Sequence, residues 1–125
     1  MSIIVDYDEF LDSLIIKTGG KVGCEEICAL RDKILEHPNF RKNINQLFDA
    51  TSSLLDLSSE DLQIIASHYS LKSNELGSNR KLALLVDKDL DFGRMRQYEV
   101  YFDSGPTVLV QAFRDPSKAR IWIKN

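Results

Sequence analysis

Several chemistries are short of material in this chain. Two cysteines, Cys24 and Cys28, cannot staple a small secreted fold, and two histidines, His37 and His68, lie too far from them to complete a zinc site. No apolar run exceeds a few residues, which excludes a membrane span, and Met1–Val5 meets Asp6 before a signal-peptide core can form. Charge of neither sign dominates. A net charge of −3 argues against the concentrated basic face that nucleic acid requires. No low-complexity tract, repeat or linker divides the 125 residues, so one domain is expected over 1–125, in the cytoplasm.

What is present is an ordered alternation of strand and helix patterns. Ile3-Ile4-Val5 and Leu14-Ile15-Ile16 read as two short strands joined by an acidic loop, with Gly19-Gly20 breaking the second. Gly23 is positioned as an N-cap, and Glu25 and Glu26 fall in the first helical turn, where the dipole favours carboxylates. Ile27, Leu30 and Ile34 form a helical stripe that ends at His37-Pro38. Cys24 and Cys28 lie four apart on that helix. This geometry gives no disulfide dihedral, so they read as small buried hydrophobes.

The centre of the chain is Asn43–Tyr69, a strand, a loop and a helix in direct succession. Ile44, Leu47 and Phe48 lead to Asp49-Ala50-Thr51, where the strand is expected to surface. Ser52-Ser53 is expected to be a polar loop. Ser58-Ser59-Glu60-Asp61 opens a helix, with Ser58 as N-cap and Asp61 closing a variant of the capping box. Ser73–Asn79 reads as a connector and Lys81–Val86 as a doubly covered strand. A helix over Leu90–Phe102 should stop at Ser104-Gly105-Pro106, with a last strand over Thr107–Phe113. Asp115-Pro116 then caps a final helix bearing Ala119, a largely buried Trp122, and Ile123. The order β-β-α-β-α-β-α-β-α predicts an α/β fold with a mostly parallel five-stranded sheet and an antiparallel N-terminal edge strand.

Motifs in this order also resemble a known family. An HPNF-like helix tail (His37–Phe40) and a strand ending at Asp49 come first. The LSSEDL helix start (Leu57–Leu62), the unit KLALLVDKDLDFGRMRQYE (Lys81–Glu99) and the closing VQAFRDPSKARIWI (Val110–Ile123) follow. Together, over about Leu14 to Ile123, they are similar to the bacterial SpoIIAA-like proteins of the STAS/CRAL-TRIO group. The resemblance implies a compact α/β domain without a catalytic signature. STAS antagonists dock onto a partner and are switched by phosphorylation of a serine where the central strand's loop meets its helix. CRAL-TRIO relatives instead bind an apolar ligand.

On that resemblance Ser58 and Ser59 are the candidate phospho-switch. The family pattern, roughly Asp-Ser-Ser-Gly, is here Asp56-Leu57-Ser58-Ser59-Glu60, with an inserted leucine and no glycine. Flanking Asp56, Glu60 and Asp61 would repel a phosphate, and capping by Ser58 is the simpler role. A second candidate is the rim at the carboxyl ends of the strands, where Thr51, Ser52, Ser53, Arg94 and Arg114 would converge on an anion or an acidic partner. Asp91-Phe92-Gly93 spells a kinase metal motif, but inside a predicted helix and without a glycine-rich loop, so no metal site or cofactor is expected. Tyr101 lies off the apolar stripe of its helix and is the candidate interface residue. The expected role is a non-enzymatic protein-interaction or regulatory module, most simply a homodimer. The rival is a carrier of a small apolar or lipid-like ligand between the sheet and helix 90–102.

Overall fold

Apolar residues two apart on the strands and three or four apart on the helices meet across a five-stranded sheet. The computed structural model describes residues 2–71, 73–101 and 108–125. Its strands are β1 (Ser2–Asp8), β2 (Ser13–Val22), β3 (Asn45–Leu55), β4 (Arg80–Leu85) and β5 (Val108–Phe113). The helices are α1 (Cys24–Glu36), α2 (Ser59–Leu71), the single turn α3 (Ser73–Leu76), α4 (Asp89–Tyr101) and α5 (Pro116–Lys124). Strand order follows the chain, β1-β2-β3-β4-β5, with β1 antiparallel to β2 and every other pair parallel. The expected sheet is the one that forms, antiparallel N-terminal edge included.

Strands β2 to β5 divide their side chains between two cores, whereas β1 packs Ile3, Val5 and Tyr7 on the larger one alone. Leu14, Ile16, Phe48, Ala50, Leu84 and Ala112 meet Leu30 and Ile34 of α1, Leu62 and Ile65 of α2, and Met95 and Tyr98 of α4. Their odd-even neighbours Ile15, Leu47, Ala83, Leu85 and Phe113 point the other way, onto Ala119 and Ile123 of α5. Three crossover helices thus cover one face and α5 alone covers part of the other. Trp122 is half-buried rather than largely buried, for that reason. It packs on Phe113 at 5.5 Å between ring centroids, with Lys81 Nζ 5.3 Å from its ring, at the margin of a nine-residue helix.

Two strands run further than the sequence suggests. Gly19-Gly20 does not end β2, and β3 does not surface at Thr51. Lys17 pairs with Asp49, and the next pair is Gly19 with Ser52, so β3 carries an extra residue there. Asp49 Oδ1 accepts from Thr51 N (3.0 Å) and Thr51 Oγ1 (2.7 Å), closing the bulge. Gly20, at φ 75, supplies the left-handed conformation that lets β2 follow. The ribbon then continues to Val22 and Leu55, past the last β3–β4 pair at Asp49–Leu85. Ser52 and Ser53 are therefore strand residues, not a loop.

The connector before β4 also holds structure that its polar composition hides. Leu76 of α3 is fully buried, and its carbonyl accepts from Asn43 N at 2.9 Å. Gly77 has φ +100, and a Cβ there would lie 2.6 Å from the backbone nitrogen of Asn43. Asn43 Oδ1 accepts from Asn79 N at 3.0 Å. The loops entering β3 and β4 are thus stitched together. Phe102, the stop at 104–106 and Thr107 lie outside the described residues. No helix among the described residues is long and apolar enough to cross a membrane.

Candidate functional site

The carboxyl-end rim is built from the β3 bulge, the start of α2 and the start of α4. Ser58 caps α2 as a reciprocal box: Asp61 N donates to Ser58 Oγ at 3.1 Å and Ser58 N donates to Asp61 Oδ2 at 2.9 Å. Ser59, in the first turn, is half-buried and turned toward α4. Its Oγ accepts from Arg94 Nη1 at 2.9 Å and Gln97 Nε2 at 3.1 Å, and Gln97 Nε2 also donates to Tyr101 OH at 3.0 Å. Ser59, Arg94, Gln97 and Tyr101 are one polar junction between two helices. Tyr101 also packs against the larger core, so it lies closer to the buried stripe than the helical wheel suggests.

The other rim residues do not join this cluster. Ser53 is buried, its Oγ within 2.5 Å of Thr18 Oγ1, and its carbonyl accepts from Lys88 Nζ at 3.3 Å. Thr51 is committed to the bulge and Ser52 is exposed. Arg114 pairs with Asp89 at 2.6 Å and lies over the Phe92 ring, so it stands apart from Arg94. Asp91 is nearly buried at the start of α4, and its Oδ2 has no hydrogen-bond partner among the described residues. Burial raises its pKa, Lys88 opposes this and Asp87 adds to it. Among the described residues no group of three His, Cys, Asp or Glu could hold a metal ion.

The second candidate lies inside the larger core. A cavity of about 60 Å³ separates the sheet from α1, α2 and α4, walled by Leu30, Ile34, Phe48, Leu62, Met95 and Tyr98 among others. Two polar side chains reach it from the amino ends of β3 and β4. Gln46 is 4% exposed, and its Nε2 has no hydrogen-bond partner among the described residues. Arg80 is 3% exposed and donates Nε to the Gly77 carbonyl at 3.0 Å. Gln46 pairs in register with Leu82, which places Arg80 diagonally beside it on the same face. Burial lowers the Arg80 pKa, opposed by nearby Tyr98 and Tyr69.

Tyr69 and Tyr98 line the same space, and burial raises both phenols. Tyr69 OH donates to the Ile27 carbonyl at 2.5 Å, tying α2 to α1. Cys24 and Cys28 pack half-buried on this core as free thiols, and burial pushes Cys28 up to about 11. A thiol so raised is protonated at neutral pH and a poor nucleophile.

Sequence reasoning did not single out Gln46, Arg80, Gln97 or Asp91 as site residues. A signal for the first two was present. Gln46 is in phase with Ile44 and Phe48, and Arg80 with Leu82 and Leu84, so period-two alternation turns both inward.

No family model and no curated protein matches this chain. Among solved structures it is similar to an uncharacterised protein of the DUF3478 family from Shewanella loihica PV-4, which has a SpoIIAA-like fold. The two are 18% identical, with a TM-score of 0.62 over 98% of this chain and 92% of that one. With its sequential, largely parallel sheet and its crossover helices on one face, this chain has a SpoIIAA-like fold.

Proposed function

We propose that the chain is a non-enzymatic regulatory module, one domain over 1–125, acting in the cytoplasm through contact with a protein partner, most simply a second copy of itself. The observation that carries this reading is the junction at Ser59. Arg94, a full cation, meets a neutral hydroxyl there, half-buried, at the first turn of α2. A partner carboxylate or a phosphate on Ser59 would give that guanidinium a stronger, charge-assisted bond. Either change would alter how α4 is held to α2, and with it the surface around Tyr101. Asp56, Glu60 and Asp61 set a limit on the phosphate form by repelling it. Sedimentation equilibrium on wild type and Tyr101→Glu tests the surface. The wild type should associate and the substitution should weaken it. A wild type that stays monomeric at high concentration, or a mutant as associated as wild type, sinks the self-association reading.

A second reading is favoured by a different observation. The cavity beneath α4, with the unpartnered amide of Gln46 facing it, supports a module that holds a small ligand in its core. Native mass spectrometry of freshly purified chain separates the two: a co-purifying small molecule supports the carrier, and a bare dimer supports the interaction module.

A further inference from the structure

The polar atoms around the cavity have one chemical sense. Arg80 offers only donors and a positive charge, and the orphaned Gln46 Nε2 is a donor as well. No carboxylate among the described residues pairs with Arg80, and the ionisable groups that act on it are two tyrosines. The rest of the wall is aliphatic or aromatic, apart from the tyrosine hydroxyls.

Resting on the ligand-holding reading, we infer that this cavity takes a small monocarboxylate with an apolar body, its head between Arg80 and Gln46 and its tail among Leu30, Ile34, Phe48 and Met95. Two donors converging from neighbouring strands match the two oxygens of a carboxylate. Ordered water could satisfy the amide but would leave the guanidinium without a counterion in a low-dielectric site. An uncharged apolar guest would do neither. Size narrows the class. One water needs about 10–15 Å³ on this measure, so the cavity has room for a body of roughly four to six heavy atoms. Short-chain acids fit this and long-chain fatty acids do not.

Arg80 is also held in place rather than left to swing. Its Nε is bound to the carbonyl of Gly77, a residue whose positive φ and contact with Asn43 fix that carbonyl. A buried guanidinium positioned by backbone is a preorganised anion site.

The test is calorimetric titration of the full chain with propionate, butyrate and hexanoate, and with 1-butanol as the uncharged match. Propionate or butyrate should bind saturably, with hexanoate and butanol weaker. Gln46→Leu and Arg80→Met should each weaken the acid by about tenfold or more, the loss expected for a charge-assisted hydrogen bond. Arg80→Lys, which keeps the charge, should retain part of the affinity and keeps the test open if Arg80→Met does not fold. Butanol binding as well as butyrate overturns the carboxylate assignment and leaves the ligand-holding reading standing. Binding of an acid that is indifferent to both substitutions places it elsewhere and overturns the site. Failure of all four compounds to bind overturns the inference, and a chain that also purifies without any small molecule removes the ligand-holding reading with it.

Discussion

The two ends of the parallel sheet are built on opposite plans. At the carboxyl end, where α/β folds usually place function, most polar groups are already engaged: Ser58 with Asp61, Ser59 with Arg94, Arg114 with Asp89, Thr51 with Asp49. At the amino end the loops are locked by Asn43 and Gly77, yet they deliver Gln46 and Arg80 into a hollow part of the core. The difference separates two kinds of polar residue. Those at the carboxyl end mainly cap, bulge and join helices; those at the amino end are buried, and the Gln46 amide leaves a donor unused. Asp91 is the exception at the carboxyl end, a nearly buried carboxylate oxygen without a partner.

The largest expected effect tests the lock. Gly77→Ala combines a left-handed φ with a Cβ pressed against the Asn43 backbone, and should cost about 3 kcal/mol, the upper end for a strained backbone position. Urea denaturation measures it. A loss below about 1 kcal/mol would mean that the amino-end loops yield easily, and the contrast between the ends would weaken.

Next in size, Gln46→Leu should stabilise the ligand-free chain, by about 1–3 kcal/mol, because it removes an unpartnered buried amide while keeping its volume. A shift of the urea midpoint in the other direction would show that the amide is satisfied in solution. A residue whose replacement improves stability is one that packing alone does not explain.

The carboxyl end predicts the reverse sign. Ser58→Ala should cost about 1 kcal/mol through loss of the reciprocal cap, and Ser58→Asp should retain most of the stability because aspartate caps as well. Thermal midpoints of the two variants decide this. If neither moves, the cap is not holding α2.

The smallest effect is a change of slope. A raised native pKa means that Asp91 favours folding most below its unfolded value, near 3.8, and that this contribution is lost as pH rises through the native pKa. Asp91→Asn cannot ionise, so its stability relative to wild type should rise between acid and neutral pH. Parallel profiles would show that Lys88 fully compensates the carboxylate.

Much of this architecture was legible because it rests on local rules. The Gly23 and Asp115-Pro116 helix starts, the Ser58–Asp61 box and the break at His37-Pro38 involve residues within a few positions of each other, and each forms as read. The misreadings at Gly19-Gly20 and Ser52-Ser53 share one cause. Glycine and serine are turn formers by local propensity, but here each segment is the other's hydrogen-bonding partner, and pairing across more than thirty residues overrides propensity. The site was less legible. Arg94 and Arg114 lie at the expected end of the sheet, but Asp89 takes one and Ser59 the other, and no spacing in the chain announces those choices.

By itself the sequence determined the strand and helix order, because periodicity and capping are properties of neighbouring residues. Parity also puts Gln46 on the side of Phe48 and Arg80 on the side of Leu82 and Leu84, although the strand was expected to begin only at Lys81. Only the tertiary structure decided what they face. The register of β3 against β4 brings the two side chains together, the Asn43–Gly77 contact fixes the carbonyl that holds Arg80, and the packing of α1, α2 and α4 leaves the cavity unfilled. These are matters of volume and of contacts between residues far apart in the chain, and no local pattern carries them.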